Sequence, residues 1–219
     1  MSKDILKDIK GAIIDLDGTI LDSAWVWDKV DEEFLGARGF DVPEHYVETI
    51  SPMGAEKAAI YTREEFGLHN ESVEEIVAEW FEMAKKEYRD DIVCKPFTKE
   101  YIKFLYDNNV RLSVATSSDR ELFIPTLKRE GILGYFSEIV TVDDVPAGKH
   151  SPDIYLECAR RMGVAPSECA VFEDILTAVK SAKEGCFITV GVMDKKSLHN
   201  REKIEEIADL YIESFKDIL

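Results

Sequence analysis

Asp15 and Asp17 stand two residues apart in Gly11-Ala-Ile-Ile-Asp-Leu-Asp-Gly-Thr19. In a strand, or the turn that follows it, residues at this spacing face the same side. The two carboxylates can therefore converge on one point, one as a nucleophile and the other as a general acid and base. Gly18 relieves crowding in the tight turn that follows. A pair of acids can also merely close a strand. Its place after an apolar run near the amino terminus makes the chemical reading the more specific one.

Three further groups complement this pair. Thr116-Ser117-Ser118 follows Val114-Ala115, and a hydroxyl there, beside the free N–H groups of a starting helix, can bind phosphate oxygens. The same residues suit an ordinary N-cap for a helix beginning near Asp119, and the two roles weigh about equally. Lys149 follows Gly148 and precedes the Pro152-Asp153 helix start. From there it can reach the sheet edge and neutralise a phosphoryl oxygen and the nucleophile, although a solvated surface lysine is the commoner case. Asp153 is placed to organise the first helical turn. Finally, Glu173 and Asp174 close the apolar run Cys169-Ala-Val-Phe172. Two adjacent acids at a buried strand end are costly unless a cation or donors compensate. Such oxygen ligands suit magnesium, which keeps several waters and binds substrate phosphate directly. One of the two can instead cap the next helix, but hardly both.

The elements that must position these groups follow from the hydrophobic pattern. Short apolar runs at Gly11–Leu16, Arg111–Thr116, Ser137–Val142, Cys169–Phe172 and Phe187–Val192 predict buried parallel strands. Helix-period segments at Lys99–Asn109, Arg120–Glu130, Asp153–Met162 and Leu176–Glu184 alternate with them. This rhythm predicts an α/β fold, a doubly wound parallel sheet with a Rossmann-like core. Ligands bind such sheets outside the carboxyl ends of the strands. Residues 22–91 break the rhythm with helical stretches only: Val26–Arg38, Pro43–Ile50, Gly54–Phe66 and Ser72–Tyr88. The expected organisation is a catalytic core of residues 1–21 and 92–219 with a helical cap of residues 22–91. Aromatic residues in that segment are read mainly as its core.

Composition narrows the partners. The chain has 219 residues and a net charge of −17. So acidic a surface repels phosphate backbones, which disfavours nucleic acid and anionic membranes as partners. Any phosphate substrate must be drawn in by local cations and a metal. The cysteines Cys94, Cys158, Cys169 and Cys186 form no CxxC pair, against a zinc site or a disulfide framework. No apolar run approaches the ~20 residues of a membrane span. The start Met1-Ser2-Lys3-Asp4 lacks a signal-peptide layout, and the expected location is cytoplasmic.

Asp15-Leu-Asp-Gly-Thr19, Thr116-Ser-Ser118, Lys149 and Glu173-Asp174, in this order and at these strand ends, resemble the haloacid dehalogenase superfamily. The resemblance spans essentially the whole chain, and its phosphatase and β-phosphoglucomutase-like branch is the most similar. It implies that Asp15 attacks phosphorus to form an aspartyl-phosphate. Asp17 would protonate the leaving oxygen and later deprotonate the attacking water. Thr116, Ser117 and Lys149 would bind the phosphoryl group. Magnesium would be held by Asp15, the Asp17 carbonyl, Glu173 and Asp174, offsetting repulsion between two anions. The implied activity is hydrolysis of a small phosphate ester, such as a sugar phosphate.

The chain departs from the family pattern after Glu173-Asp174. Ile175 and Ala178 occupy places where Ser and Gly are common, and His150 follows Lys149 where Pro is common. None of these changes removes a catalytic group. Halide displacement is disfavoured because it needs neither a metal nor Asp17. Phosphonate cleavage needs a cap lysine, and nothing singles out Lys29. The serious alternative is a β-phosphoglucomutase-like sugar-phosphate mutase. That branch follows Asp-Thr-Ala with a cap His, whereas Asp22-Ser23-Ala24 here leads to Trp27 at that place. An indole cannot titrate, so hydrolysis is favoured, with Trp27 a weak candidate for substrate contact. A non-catalytic phosphate-binding module would not need the full acid set. Arg38, Lys57 and Arg63 are further candidates for substrate choice. The sequence is silent on oligomeric state and on the identity of the ester.

Overall fold

The computed structural model describes residues 3–50 and 53–219; the Met1-Ser2 start read above lies outside them. Six parallel strands form one sheet in the order β3-β2-β1-β4-β5-β6. These are β1 Gly11–Ile14, β2 Arg111–Thr116, β3 Phe136–Thr141, β4 Cys169–Glu173, β5 Ile188–Val192 and β6 Leu210–Ile212. Nine α-helices lie among the described residues. α1 to α4 are Val26–Gly36, Glu44–Ile50, Ala55–Glu65 and Val73–Asp90. α5 to α9 are Thr98–Asp107, Arg120–Arg129, Asp153–Met162, Leu176–Glu184 and Arg201–Ile207. No helix among the described residues is long and apolar enough to cross a membrane.

β1 is central, pairing with β2 on one side and β4 on the other. The chain winds outward from β1 in both directions, so the carboxyl ends of β1 and β4 flank the switch point where such sheets bind ligands. The inner strands β1, β2, β4 and β5 are buried on both faces with their apolar residues alternating between them, whereas the edge strands β3 and β6 are only partly buried. Ile13 and Val171 belong to the core beneath α7, with Ile154, Tyr155, Cys158 and Met162. Phe172 points to the opposite face, where its ring meets Tyr101 at 5.7 Å and Phe215 at 6.0 Å. In the β1–β4 register Ile13 lies beside Val171. Two residues on, Asp15 and Glu173 inherit the same neighbourhood on the α7 face.

β1 ends sooner than the apolar run suggests. Leu16 is fully buried but belongs to a turn, where its carbonyl accepts the N–H groups of Thr19, Ile20 and Leu21 at 3.3, 3.0 and 2.8 Å. β6 and α9 were not anticipated from the sequence pattern.

Contacts divide the chain into two compact units, Trp25–Asp91 and the remainder of the chain. The first contains α1 to α4. Ser72 caps α4 by accepting from the Glu75 N–H at 3.1 Å, and Glu75 returns a bond to the Ser72 N–H at 2.8 Å. Phe34 packs edge-on against Trp80 with centroids 5.5 Å apart, while Trp27 is 48% exposed. Arg38, a candidate for substrate choice, is engaged within this unit. It stacks on Phe34 at 3.6 Å and bonds Glu71 at 2.9 Å and Glu79 at 2.7 Å. Arg63 pairs with Glu64 at 3.3 Å.

Phe172 supports the strand that carries Glu173 and is fully buried. Phe172→Ala is expected to destabilise the core by about 3–5 kcal/mol, the usual cost of removing a buried ring. A lower urea midpoint with an unchanged m-value would show it.

Candidate active site

Asp15, Lys149, Glu173 and Asp174 meet at the carboxyl edge of β1 and β4. Asp15 extends the ladder past β1, its N–H donating to the Phe172 carbonyl at 3.1 Å. Lys149 stands in the turn before α7, where the Ser151 N–H closes on the Gly148 carbonyl at 3.1 Å. Its ammonium donates to Asp15 Oδ1 and, at 2.7 Å, to Glu173 Oε1. Tyr155, one turn into α7, donates its hydroxyl to the same Glu173 oxygen at 2.8 Å. Asp174 accepts the Thr19 hydroxyl at 3.2 Å. Asp15 and Asp174 are each 5% exposed and Glu173 is 1% exposed.

Gly18 is what lets the turn after β1 approach so closely. Its φ is +79°, and a Cβ there would lie 2.6 Å from Asp174 Oδ2. A side chain would be strained twice over, by backbone conformation and by contact with the carboxylate.

Asp17 is not one of the three acids whose oxygens lie within 4.8 Å of one another, but its charge adds to the rise of the Asp15 pKa. The Asp17 carboxylate accepts the Ser23 hydroxyl at 2.7 Å on one oxygen and the Ser118 hydroxyl on the other. Thr116, at the end of β2, accepts the Ser118 N–H at 3.0 Å. The cap of α6 is Asp119, which accepts from the Glu121 N–H at 2.7 Å. The helix therefore does not draw on Thr116 for its N-cap. Ser117 is exposed.

Burial and mutual repulsion make it costly to ionise these groups together. Burial pushes the Asp15 carboxyl up to about 7; Glu173 adds to the rise, and Lys149 works against it. Burial likewise raises Asp174 well above the carboxylate range, reinforced by Asp15, Glu173 and Asp194. For Lys149 burial acts to lower its pKa, but the charges of Asp15 and Glu173 prevail and raise it. One ammonium thus faces three buried acids. Oxygens of Asp15, Glu173 and Asp174 all lie within 4.8 Å of one another. Glu173 Oε2 is buried without a hydrogen-bond partner. This all-oxygen donor set with an unsatisfied acceptor fits a small hard divalent cation such as magnesium.

The sequence reading did not single out Tyr155 or Thr19, whose hydroxyls bond Glu173 and Asp174. Tyr155 lies three residues after Pro152, where it reads as an ordinary helix residue. Its task emerges only because α7 crosses the face that carries Glu173. Thr19 was visible within Asp15-Leu-Asp-Gly-Thr19, but its partner is 155 residues away.

The unfolded Asp15 carboxyl ionises near 3.8, whereas the folded one holds its proton to about 7. Between these values the folded state binds more protons, so rising pH destabilises it, and above 7 the loss is complete. Asp15→Asn should therefore gain in melting temperature over the wild type, without metal, as pH rises from 5 to 8. Thermal scans in chelator across that range would show the gap widening.

A haloacid dehalogenase-like hydrolase family profile matches residues 9–185. The fructose-1-phosphate phosphatase YqaB of Escherichia coli (strain K12) is 30% identical over 175 residues, covering 79% of this chain and 90% of its own. CbbY from Rhodobacter sphaeroides, solved in complex with phosphate, superposes with a TM-score of 0.76 at 22% identity, covering 96% of both chains. The β-phosphoglucomutase of Clostridium difficile gives a TM-score of 0.71 at 22% identity, over 96% of this chain and 93% of its own. With the parallel sheet and the strand-end acids in place, the chain belongs to the haloacid dehalogenase-like hydrolases, with relatives named as phosphatases.

Proposed function

We propose that this phosphoric monoester hydrolase cleaves a small phosphorylated metabolite, a sugar phosphate or a similar ester, with magnesium and an aspartyl-phosphate intermediate. The observation that carries the proposal is the convergence of Asp15, Lys149, Glu173 and Asp174 at the β1–β4 switch point. Similarity to a fructose-1-phosphate phosphatase supports the sugar-phosphate class.

In this reading Asp15 attacks phosphorus while the bond to the ester oxygen breaks. Asp17 gives that oxygen a proton, so the alcohol leaves neutral. Asp17 then takes a proton from water as the water attacks the aspartyl-phosphate, which releases inorganic phosphate and frees Asp15. Ser23 and Ser118 orient the Asp17 carboxylate by donating to both of its oxygens. Thr116, Ser117 and Lys149 hold the phosphoryl oxygens. Asp15, Glu173, Asp174 and the Asp17 carbonyl would hold magnesium, which supplies the positive charge that lets two anions react. Tyr155 keeps Glu173 oriented toward the cluster.

The helical unit, expected to be a cap, sets substrate choice in this proposal. Trp27 is exposed there, whereas Arg38 is held by Glu71 and Glu79. Cytoplasmic location completes the reading; none of the four cysteines is in a disulfide.

A panel of phosphorylated metabolites, assayed for released phosphate with magnesium and with chelator, tests the function. Hydrolysis should require the metal, and Asp15→Asn should abolish it. Asp17→Asn should lower kcat by about 10²- to 10⁴-fold, the usual contribution of acid–base catalysis. Metal-independent rates that match those of Asp15→Asn would refute the proposal. With β-glucose 1-phosphate, appearance of the 6-phosphate instead of free phosphate would mark a mutase.

A further inference from the structure

None of the chemistry above uses Lys95, which opens the segment leading into α5. Its side chain is only 16% exposed. The ammonium donates to the Gly18 carbonyl, to the Met193 carbonyl at 2.9 Å and to Asp194 Oδ2 at 2.9 Å. An ammonium has three donors, and here each has a partner. Asp194 is fixed in turn, because its other oxygen accepts the Lys196 N–H at 2.9 Å. The Lys95 N–H also donates to the Ile20 carbonyl at 2.8 Å. A single residue thus joins the turn after β1, the loop after β5 and the segment before α5.

The turn that Lys95 grips packs directly on a candidate metal acid. The Gly18 Cα is so close to Asp174 that an added Cβ would meet Asp174 Oδ2 at 2.6 Å and Asp194 Cγ at 3.4 Å. The next residue, Thr19, gives its hydroxyl to Asp174 Oδ1 at 3.2 Å. Its N–H is held by the Leu16 carbonyl at 3.3 Å. The Gly18-Thr19 peptide is therefore anchored at both ends, its carbonyl to Lys95 and its N–H to Leu16. A buried ion pair alone is weak evidence for stability, since an apolar pair can often replace it. An apolar side chain, however, could not hold the Gly18 carbonyl in this direction.

We propose that Lys95, with Asp194, is a positioning pair for Asp174. By holding the Gly18 carbonyl it seats the Gly18-Thr19 turn on the Asp174 carboxylate and orients the oxygens offered to a divalent cation. The inference rests on the reading of Asp174 as a metal ligand. It adds two residues, at positions 95 and 194, to which the proposed chemistry gives no part.

The test is calorimetric titration of Mn2+ into wild type, Lys95→Met/Asp194→Asn and Thr19→Val. The double variant removes the ammonium without leaving the Asp194 carboxylate buried and unpaired. Its Mn2+ dissociation constant should rise about 10- to 100-fold, the usual effect of losing an outer-shell partner of a metal ligand. With p-nitrophenyl phosphate, kcat should fall at saturating magnesium while KM changes little. A folded double variant that binds Mn2+ as the wild type does would overturn the proposal. Should that variant fail to fold, Thr19→Val decides, because it leaves Lys95 and Asp194 intact and removes only the hydroxyl on Asp174. Weakened Mn2+ binding by Thr19→Val would support transmission through the turn; wild-type binding would refute it. A wild type that binds no Mn2+ would overturn the metal reading itself. Unaffected variants beside a metal-binding wild type would overturn only the positioning pair.

Discussion

Three carboxylates nearly closed off from water, with one ammonium among them, impose the constraint that the rest of the core serves. Carboxylates at such separation repel one another, and burial removes the solvent that would screen them. Burial therefore favours the protonated forms of Asp15 and Asp174, and Asp15 ionises only near neutrality. The fold tolerates this because every acid has a donor. Lys149 serves Asp15 and Glu173, Tyr155 serves Glu173, and Thr19 serves Asp174. What the donors do not cover, the second oxygen of Glu173, is the place where a cation gains most.

The sheet supplies the geometry and the rest of the core supplies rigidity. Alternation along β1 and β4 sends Ile13 and Val171 into the packing under α7, so Asp15 and Glu173 emerge beside Lys149 and Tyr155. On the other face Phe172, Tyr101 and Phe215 form an aromatic layer that fixes β4. The strain of gathering like charges is thus borne by apolar burial on both sides of the same strands. The chain as a whole, at −17, repels the anions that such a site is built to bind. In the proposed function the field would reverse only at short range, where Lys149 and a bound cation would dominate.

Much of this was legible in the residues. Continuous apolar runs marked β1 to β5 because parallel strands are buried on both faces, and acids at their ends stood out against that background. α7 and α8 follow the helical period from Asp153 to Met162 and from Leu176 to Glu184. β6 has only three residues, Leu210–Ile212, and lies at the sheet edge, too short for a period to register. Tyr155, Lys95 and Asp194 were illegible for another reason. Each is an unexceptional residue in its own segment, and each acquires its task from a partner brought near only by the wound sheet. Arg38 shows the reverse, a conspicuous cation in the sequence that the structure engages with Glu71 and Glu79.

The core also closes around the point where the helical segment leaves and returns. The Asp22 N–H donates to the Val93 carbonyl at 2.9 Å, and Leu21 bridges Cys94 in antiparallel fashion. The two ends of the insertion are therefore joined side by side by the core itself. To the sheet, everything between them is a loop with fixed ends, and loop-closure entropy grows only slowly with length. Such a junction makes the inserted segment a replaceable module. Its length and sequence can change with little cost to the sheet, because the strand-end acids are placed by the core alone.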